Sequence, residues 1–228
     1  MEIHTSSNPE REAGSALSAL LRTHAGKPVL LLVSGGSAFQ LLEHVDGEVL
    51  ESTVTLSVLD ERYSRDPQVH NFSQLSRTSF FTRAVERGVA FIDTQVSEGE
   101  TRAAFAARVE ATLHDWVRTH VGGIIIVTMG VGADGHTAGI LSRVDTVDFD
   151  GDAWVVGYVV DPHIHQYTER VTVTNTFLRT MVTEALVFMQ GASKRQAFEN
   201  LTRDDGDLHT TPARVLRDMR SVHVYTDI

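Results

Sequence analysis

The 228-residue sequence has no cysteine. That excludes disulfides and thiol chemistry and leaves packing alone to hold the fold. Lysine is nearly as scarce: Lys27 and Lys194 are the two among twenty basic residues. No run approaches the roughly 20 apolar residues of a membrane-spanning helix. The opening residues, Met-Glu-Ile-His-Thr-Ser-Ser-Asn, lack the basic and apolar regions of a secretion signal, so the expectation is a cytoplasmic protein with no membrane partner. Clustered basic residues are missing as well, and the formal net charge is -10. A nucleic-acid binder needs grouped Lys and Arg to meet the phosphate backbone, which argues against that class. An anionic ligand would have to be held by a few placed cations, so each lysine becomes a position of interest.

What is present has the rhythm of an α/β protein. The length fits a single domain, residues 1–228, with a full core. Residues 124–127, Ile-Ile-Ile-Val, read as a strand buried on both faces that stops at Gly130, Gly132 and Gly135. In open α/β sheets ligands bind beyond the carboxyl ends of the strands, which puts Asp134 and His136 where a substrate would sit. The same glycine spacing also describes an ordinary tight turn.

Before this stretch, Asn8, Pro9, Glu10 and Glu12 mark a helix start in which Asn8 is the expected cap. Residues 29–33 are an apolar strand, followed by Ser34-Gly35-Gly36-Ser37 and a helical pattern over 38–45. Free backbone N–H groups at the start of a helix are suited to a phosphate; the alternative is a flexible turn capped by Ser37. No Walker lysine follows, which disfavours a nucleoside triphosphate. Residues 54–59 form another strand ending in Asp60-Glu61-Arg62, either on the ligand side or a solvated charged turn. A helix is expected over 72–87, a short strand over 89–92, and a long helix over 99–120 whose Phe105, Val109, Leu113 and Trp116 face the core. The acidic stretch 144–152 lacks the closing glutamate of a calcium loop and reads as solvated. Strands follow at 154–160, 185–189 and 222–225, with a helix from Asn175. His163 and His165 share a strand face as a possible metal pair with no evident third ligand. Strand and helix alternate at least four times, which gives a doubly wound, mostly parallel sheet with helices on both faces.

Residues 129–138, Met-Gly-Val-Gly-Ala-Asp-Gly-His-Thr-Ala, resemble the signature loop of 6-phosphogluconolactonases and, more distantly, of glucosamine-6-phosphate deaminases. The resemblance extends through Ser34–Ser37, through Asp60-Glu61-Arg62 with Asn71, through Glu169-Arg170 and its alternating Thr172 and Thr174, through Lys194 after Gly191, and to Pro212-Ala213 near the end. It implies the Rossmann-like fold shared with ribose-5-phosphate isomerase, and hydrolysis of 6-phospho-D-glucono-1,5-lactone in the oxidative pentose phosphate pathway. Cleaving this ester needs an activated water, a stabilised oxyanion and a proton for the departing ring oxygen. By the resemblance His136 is the base, Asp134 orients or assists it, and Asp60 and Arg62 position the lactone and offset the developing charge. Ser34, Gly35, Gly36, Ser37, Asn71, Arg170 and Lys194 would bind the substrate and its phosphate. No metal or organic cofactor is implied, and the expected partner is a small sugar phosphate, with the chain a monomer or small homo-oligomer.

The sequence departs from the family pattern at Tyr63-Ser64, at His70 before Asn71, and at Gly139-Ile140-Leu141-Ser142. The deaminases carry a glutamate where Leu141 stands, which removes a proton carrier that their reaction uses. A noncatalytic sugar-phosphate sensor is the remaining alternative; it would keep the phosphate ligands but has no reason to keep Asp134 and His136.

Overall fold

The computed structural model describes residues 1–163 and 165–228. In chain order it contains β1 (Glu2–Thr5), α1 (Pro9–Thr23), β2 (Val29–Val33), β3 (Val54–Val58), β4 (Asp60–Arg62), α2 (Asn71–Leu75), α3 (Ser79–Glu86) and β5 (Ala90–Phe91). There follow α4 (Arg102–Thr119), β6 (Ile124–Gly130), β7 (Val155–Val159), β8 (Glu169–Val173), α5 (Asn175–Thr180), β9 (Glu184–Met189), α6 (Arg195–Thr202) and β10 (Val222–Thr226). Seven strands form one sheet in the order β1-β10-β9-β6-β2-β3-β5, every neighbouring pair parallel. This is the doubly wound α/β architecture expected from the strand–helix rhythm.

The strands are apolar throughout because both faces are covered. Along β2, Leu30 and Leu32 turn toward a core built with Phe105, Trp116 and Phe177, while Val29, Leu31 and Val33 turn toward Ala13, Leu17 and Phe80. Full burial of each large side chain contributes about 1.5–3 kcal/mol. The helices supply the matching stripes: α1 and α3 on one face, α4, α5 and α6 on the other.

Several local expectations need correction. Asn8 does not cap α1 with its side chain; Ser6 takes over that corner, accepting from Asn8 N–H and donating to Glu12 at 2.5 Å. The helix expected over 38–45 is a 3₁₀ helix, Gly36–His44. Its three-residue period keeps Leu41 and His44 together against Gly14 of α1, where an added Cβ would stand 2.4 Å from the Leu41 carbonyl and 2.6 Å from His44 Cβ. The helix expected over 72–87 is two, because Thr78 starts α3 by accepting from Phe81 N–H while its hydroxyl closes on the Leu75 carbonyl. β1, β8 and α6 were not expected. The acidic stretch, in contrast, is solvated as expected: Asp145, Asp148, Asp150 and Asp152 are exposed, with Asp150 pairing with Arg179 and Asp145 lying 2.9 Å from His209 at the surface.

The largest addition is a second sheet, β4-β8-β7, antiparallel throughout. Asp60-Glu61-Arg62 is thus neither a turn nor solvated. It pairs with residues 170–172, and Glu61 is among the most buried charged groups of the protein at 2% exposure.

Candidate active site

The chain runs outward from β2 through β3 to β5, then returns to β6 and runs outward the other way. Adjacent strands β2 and β6 therefore send their following loops apart, opening a crevice at their carboxyl ends. The loop after β2 is Ser34–Ser37 and the loop after β6 carries Asp134 and His136. Both line one cleft of about 340 Å³, together with Asp60, Arg62, Asn71, Arg170 and Lys194. Asp134 touches this cleft only through His136, and its other side faces a separate hollow with Arg143 and Arg203.

His136 Nδ1 lies 2.5 Å from Asp134 Oδ1, which also accepts from the His136 backbone N–H at 3.3 Å. Burial pushes the Asp134 carboxyl up, but the hydrogen bond and charge of His136 outweigh it and hold the pKa at about 2. The loop is closed by Gly132 N–H to His136 carbonyl and by the Thr137 hydroxyl to Gly130 carbonyl. Gly132 is required by close approach: a Cβ there would stand 2.1 Å from His136 Nδ1 and 2.5 Å from Asp134 Oδ1. Ala138 is held at a positive φ of 47°, an unfavourable setting for a residue with a side chain. The second sheet fixes it there, since the Thr172 hydroxyl donates to the Ala138 carbonyl and the Tyr158 hydroxyl to the Gly139 carbonyl. From the other side Ala213 N–H donates to the Gly135 carbonyl.

Across the cleft, β4 presents Asp60, which is 8% exposed. The Asn71 amide donates to its backbone carbonyl at 2.9 Å and its carboxylate at 3.3 Å, and Arg170 approaches within 3.9 Å. The Asn71 side chain also packs on the loop after β2, 2.2 Å from where a Cβ of Gly35 would stand, so Gly35 is needed there. Asn71 thus ties the Asp60 strand to the Ser34–Ser37 loop. Glu61 sits beneath, accepting from the Asn71 and Phe72 N–H groups and the Thr94 hydroxyl. Burial holds its carboxyl well above the usual range against these hydrogen bonds.

Three cations meet the cleft. Lys194 Nζ lies 3.4 Å from Ser37 Oγ, and burial lowers its pKa while Asp227 acts against that. Arg62 lies 5.1 Å from the Tyr167 ring centroid and donates to the Val69 carbonyl. Arg170, 3% exposed, contacts Asp60 and His165. Burial lowers its pKa against the pull of Asp60, and a guanidinium remains charged regardless. Ser34 Oγ, Asn71 Oδ1 and Arg62 Nε are buried with no hydrogen-bond partner among the described residues.

Every residue expected in the site except Asp134 lines the cleft directly. His165, Gln166 and Tyr167 also line it. Sequence reasoning considered His165 only as half of a metal pair with His163, and these two belong to no three-ligand group among the described residues. His165 Nδ1 instead accepts from Tyr167 N–H and faces Arg170. Burial, then the Arg170 charge, lowers its pKa, so the imidazole is neutral at pH 7. Its nearness in sequence to Arg170 was the available signal.

Residues 10–225 match the family model described as glucosamine-6-phosphate isomerases/6-phosphogluconolactonase. No curated protein sequence matches the chain. Among solved structures it is similar to 6-phosphogluconolactonase from Leishmania guyanensis, with TM-score 0.73, 21% identity, and coverage of 99% of this chain and 95% of that one. The Trypanosoma brucei 6-phosphogluconolactonase superposes with TM-score 0.75 at 18% identity, covering 99% and 95%. The Shewanella baltica enzyme gives TM-score 0.72 at 21% identity, covering 99% and 96%.

Proposed function

The chain belongs to the glucosamine-6-phosphate isomerase/6-phosphogluconolactonase family, and from that premise we propose that it hydrolyses 6-phospho-D-glucono-1,5-lactone to 6-phospho-D-gluconate, the lactone step of the oxidative pentose phosphate pathway. The observation that carries this reading is the 2.5 Å Asp134–His136 pair in a cleft whose other side holds Ser37 and Lys194. With Nδ1 committed to Asp134, Nε2 of His136 is the nitrogen free to take a proton from water as it attacks the lactone carbonyl. Asp134, ionised above about pH 2, steadies the imidazolium that forms. Collapse of the tetrahedral intermediate breaks the bond to the ring oxygen, and His136 returns its proton there, leaving the acid and a free hydroxyl.

Asp60, held by Asn71, orients the lactone hydroxyls, Arg62 offsets charge on the carbonyl oxygen as it develops, and Arg170 stands with the phosphate ligands. The Ser34–Ser37 loop and Lys194 hold the phosphate, so that binding energy from a remote group orients the ring for attack. The deaminase reading is disfavoured by Leu141, buried at 3% exposure where that reaction uses a glutamate. The sensor reading leaves the Asp134–His136 pair without a purpose.

Proton release in weak buffer, on adding the protein to freshly generated phosphogluconolactone with spontaneous hydrolysis subtracted, tests the proposal. Acceleration lost in His136→Ala supports both reaction and base. A rate no faster than the spontaneous one overturns the proposal.

A further inference from the structure

At the edge of the large sheet, β1 lies parallel to β10 with Glu2 opposite His223 and His4 opposite Tyr225. Residues two apart on a strand share a face, so Glu2, His4 and His223 project together. His4 Nε2 and His223 Nδ1 stand 3.2 Å apart, His223 Nδ1 lies 3.4 Å from Glu2 Oε2, and His4 Nε2 lies 3.9 Å from the same oxygen. Ligands at about 2.0–2.2 Å around a tetrahedral centre stand about 3.4 Å from one another, so these separations suit one ion coordinated by all three. Two imidazole nitrogens facing each other need either one shared proton or a cation between them. The His4 ring is held in this orientation by stacking on Tyr225, centroid to centroid 4.7 Å at 12°.

We propose that Glu2, His4 and His223 form a binding site for a borderline divalent cation of the Zn²⁺ type. The donor set of two imidazoles and one carboxylate favours such ions over Mg²⁺ or Ca²⁺, which prefer oxygen. Glu2 is largely exposed, which leaves an entry path and a fourth position for water. The ion would tie the edge strand β1 to β10, adding a cross-link where the sheet otherwise ends in backbone hydrogen bonds. The site lies at the β1 edge of the sheet and none of its three residues lines the cleft between β2 and β6, so the ion plays no part in lactone hydrolysis and its loss leaves that activity unchanged.

Calorimetric titration of the metal-stripped, tag-free full chain with Zn²⁺ tests the site, with a parallel melting curve. One equivalent should bind and raise the melting temperature, and Mg²⁺ should do neither. Because each variant removes a direct ligand, His4→Gln and His223→Gln should each weaken binding by at least the 10–100-fold typical of losing an outer-shell partner. Lack of saturable Zn²⁺ binding to the wild-type chain overturns the proposal without recourse to a variant. So does equal Zn²⁺ affinity in the His4→Gln/His223→Gln double variant, which would assign the ion to other histidines.

Discussion

At the residue scale, the contact between Gly132 and the Asp134–His136 pair separates activity from stability. A methyl group at this position meets the ends of two side chains rather than backbone, so Gly132→Ala should leave the melting temperature within about 2 °C, while displacing the imidazole. A displacement of about 1 Å costs about 100-fold in rate; a Gly132→Ala enzyme with wild-type turnover would mean that His136 is not held where the mechanism needs it. Asp134 yields a pH prediction. Its carboxyl is depressed to about 2, so its contribution to stability is fully present above the unfolded value of about 3.9 and is lost only as pH falls toward 2. The melting-temperature difference between wild type and Asp134→Asn should therefore shrink as pH falls below about 4. The change should be small, because half of the Asp134 side chain is exposed. Turnover of Asp134→Asn, in contrast, should fall across the whole range. The placement of Asp134 and His136 on the ligand side was legible, since both follow a strand that ends in glycines; that their side chains meet was not, and comes from the structure. The need for Gly132 was not, because it arises from a side chain folding back over its own loop.

At the scale of elements, the joint between β4 and α2 has the least legible chemistry. The sequence shows an acid, Glu61, and a histidine, His70, nine residues apart, and nothing in its periodicity predicts that strand β4 leaves the main sheet to begin a second one. Three residues are too few to display an alternation; β7 reads as a further strand of the first sheet, and the residues of β8 read only as a motif rather than as a strand. The structure buries Glu61 and His70 together, His70 Nδ1 lying 3.3 Å from Glu61 Oε1 and Nε2 lying 2.9 Å from the Thr94 carbonyl. Desolvation lowers the His70 pKa, with the Thr94 carbonyl and Asp93 acting against it and Arg108 and Arg62 adding to it. An imidazole kept neutral in the fold is protonated first in the unfolded chain, so its contribution is present above the unfolded value of about 6.5 and is lost as pH falls below it. Glu61 runs the opposite way, its contribution being present below about 4.3 and lost as pH rises through its raised folded value. The stability advantage of wild type over His70→Gln should accordingly narrow between about pH 7.5 and 5.5 in urea titrations. An advantage that widened on acidification would mean that the buried imidazole carries charge. By contrast, the long apolar strands and the stripe of α4 were legible, because each repeats one period over many residues.

At the scale of the whole molecule, a net charge of -10 repels an anionic substrate at long range, and the cleft must reverse that sign locally. It does so with Arg62, Arg170 and Lys194, drawn from β4, β8 and the turn before α6, elements far apart in sequence that line one cleft; the antiparallel pairing of β4 with β8 brings the two arginines side by side. Arg170 and Arg62 are occupied by partners within the protein, Asp60 and the Val69 carbonyl. Among the described residues the Lys194 ammonium has one hydrogen-bond partner, the Ser37 hydroxyl at 3.4 Å, which leaves it the cation best able to meet a phosphate. If Lys194 meets the phosphate and His136 the lactone, the two ends of the substrate are read by separate residues. Lys194→Ala should then lower kcat/KM for the phosphorylated lactone about 10–100-fold, the value of a charge-assisted hydrogen bond of about 1.5–3 kcal/mol. It should leave kcat/KM for the unphosphorylated gluconolactone unchanged, whereas His136→Ala should impair both substrates alike. An equal loss on the two substrates in Lys194→Ala would detach the lysine from the phosphate and mean that it supports the loop after β2 through Ser37 instead.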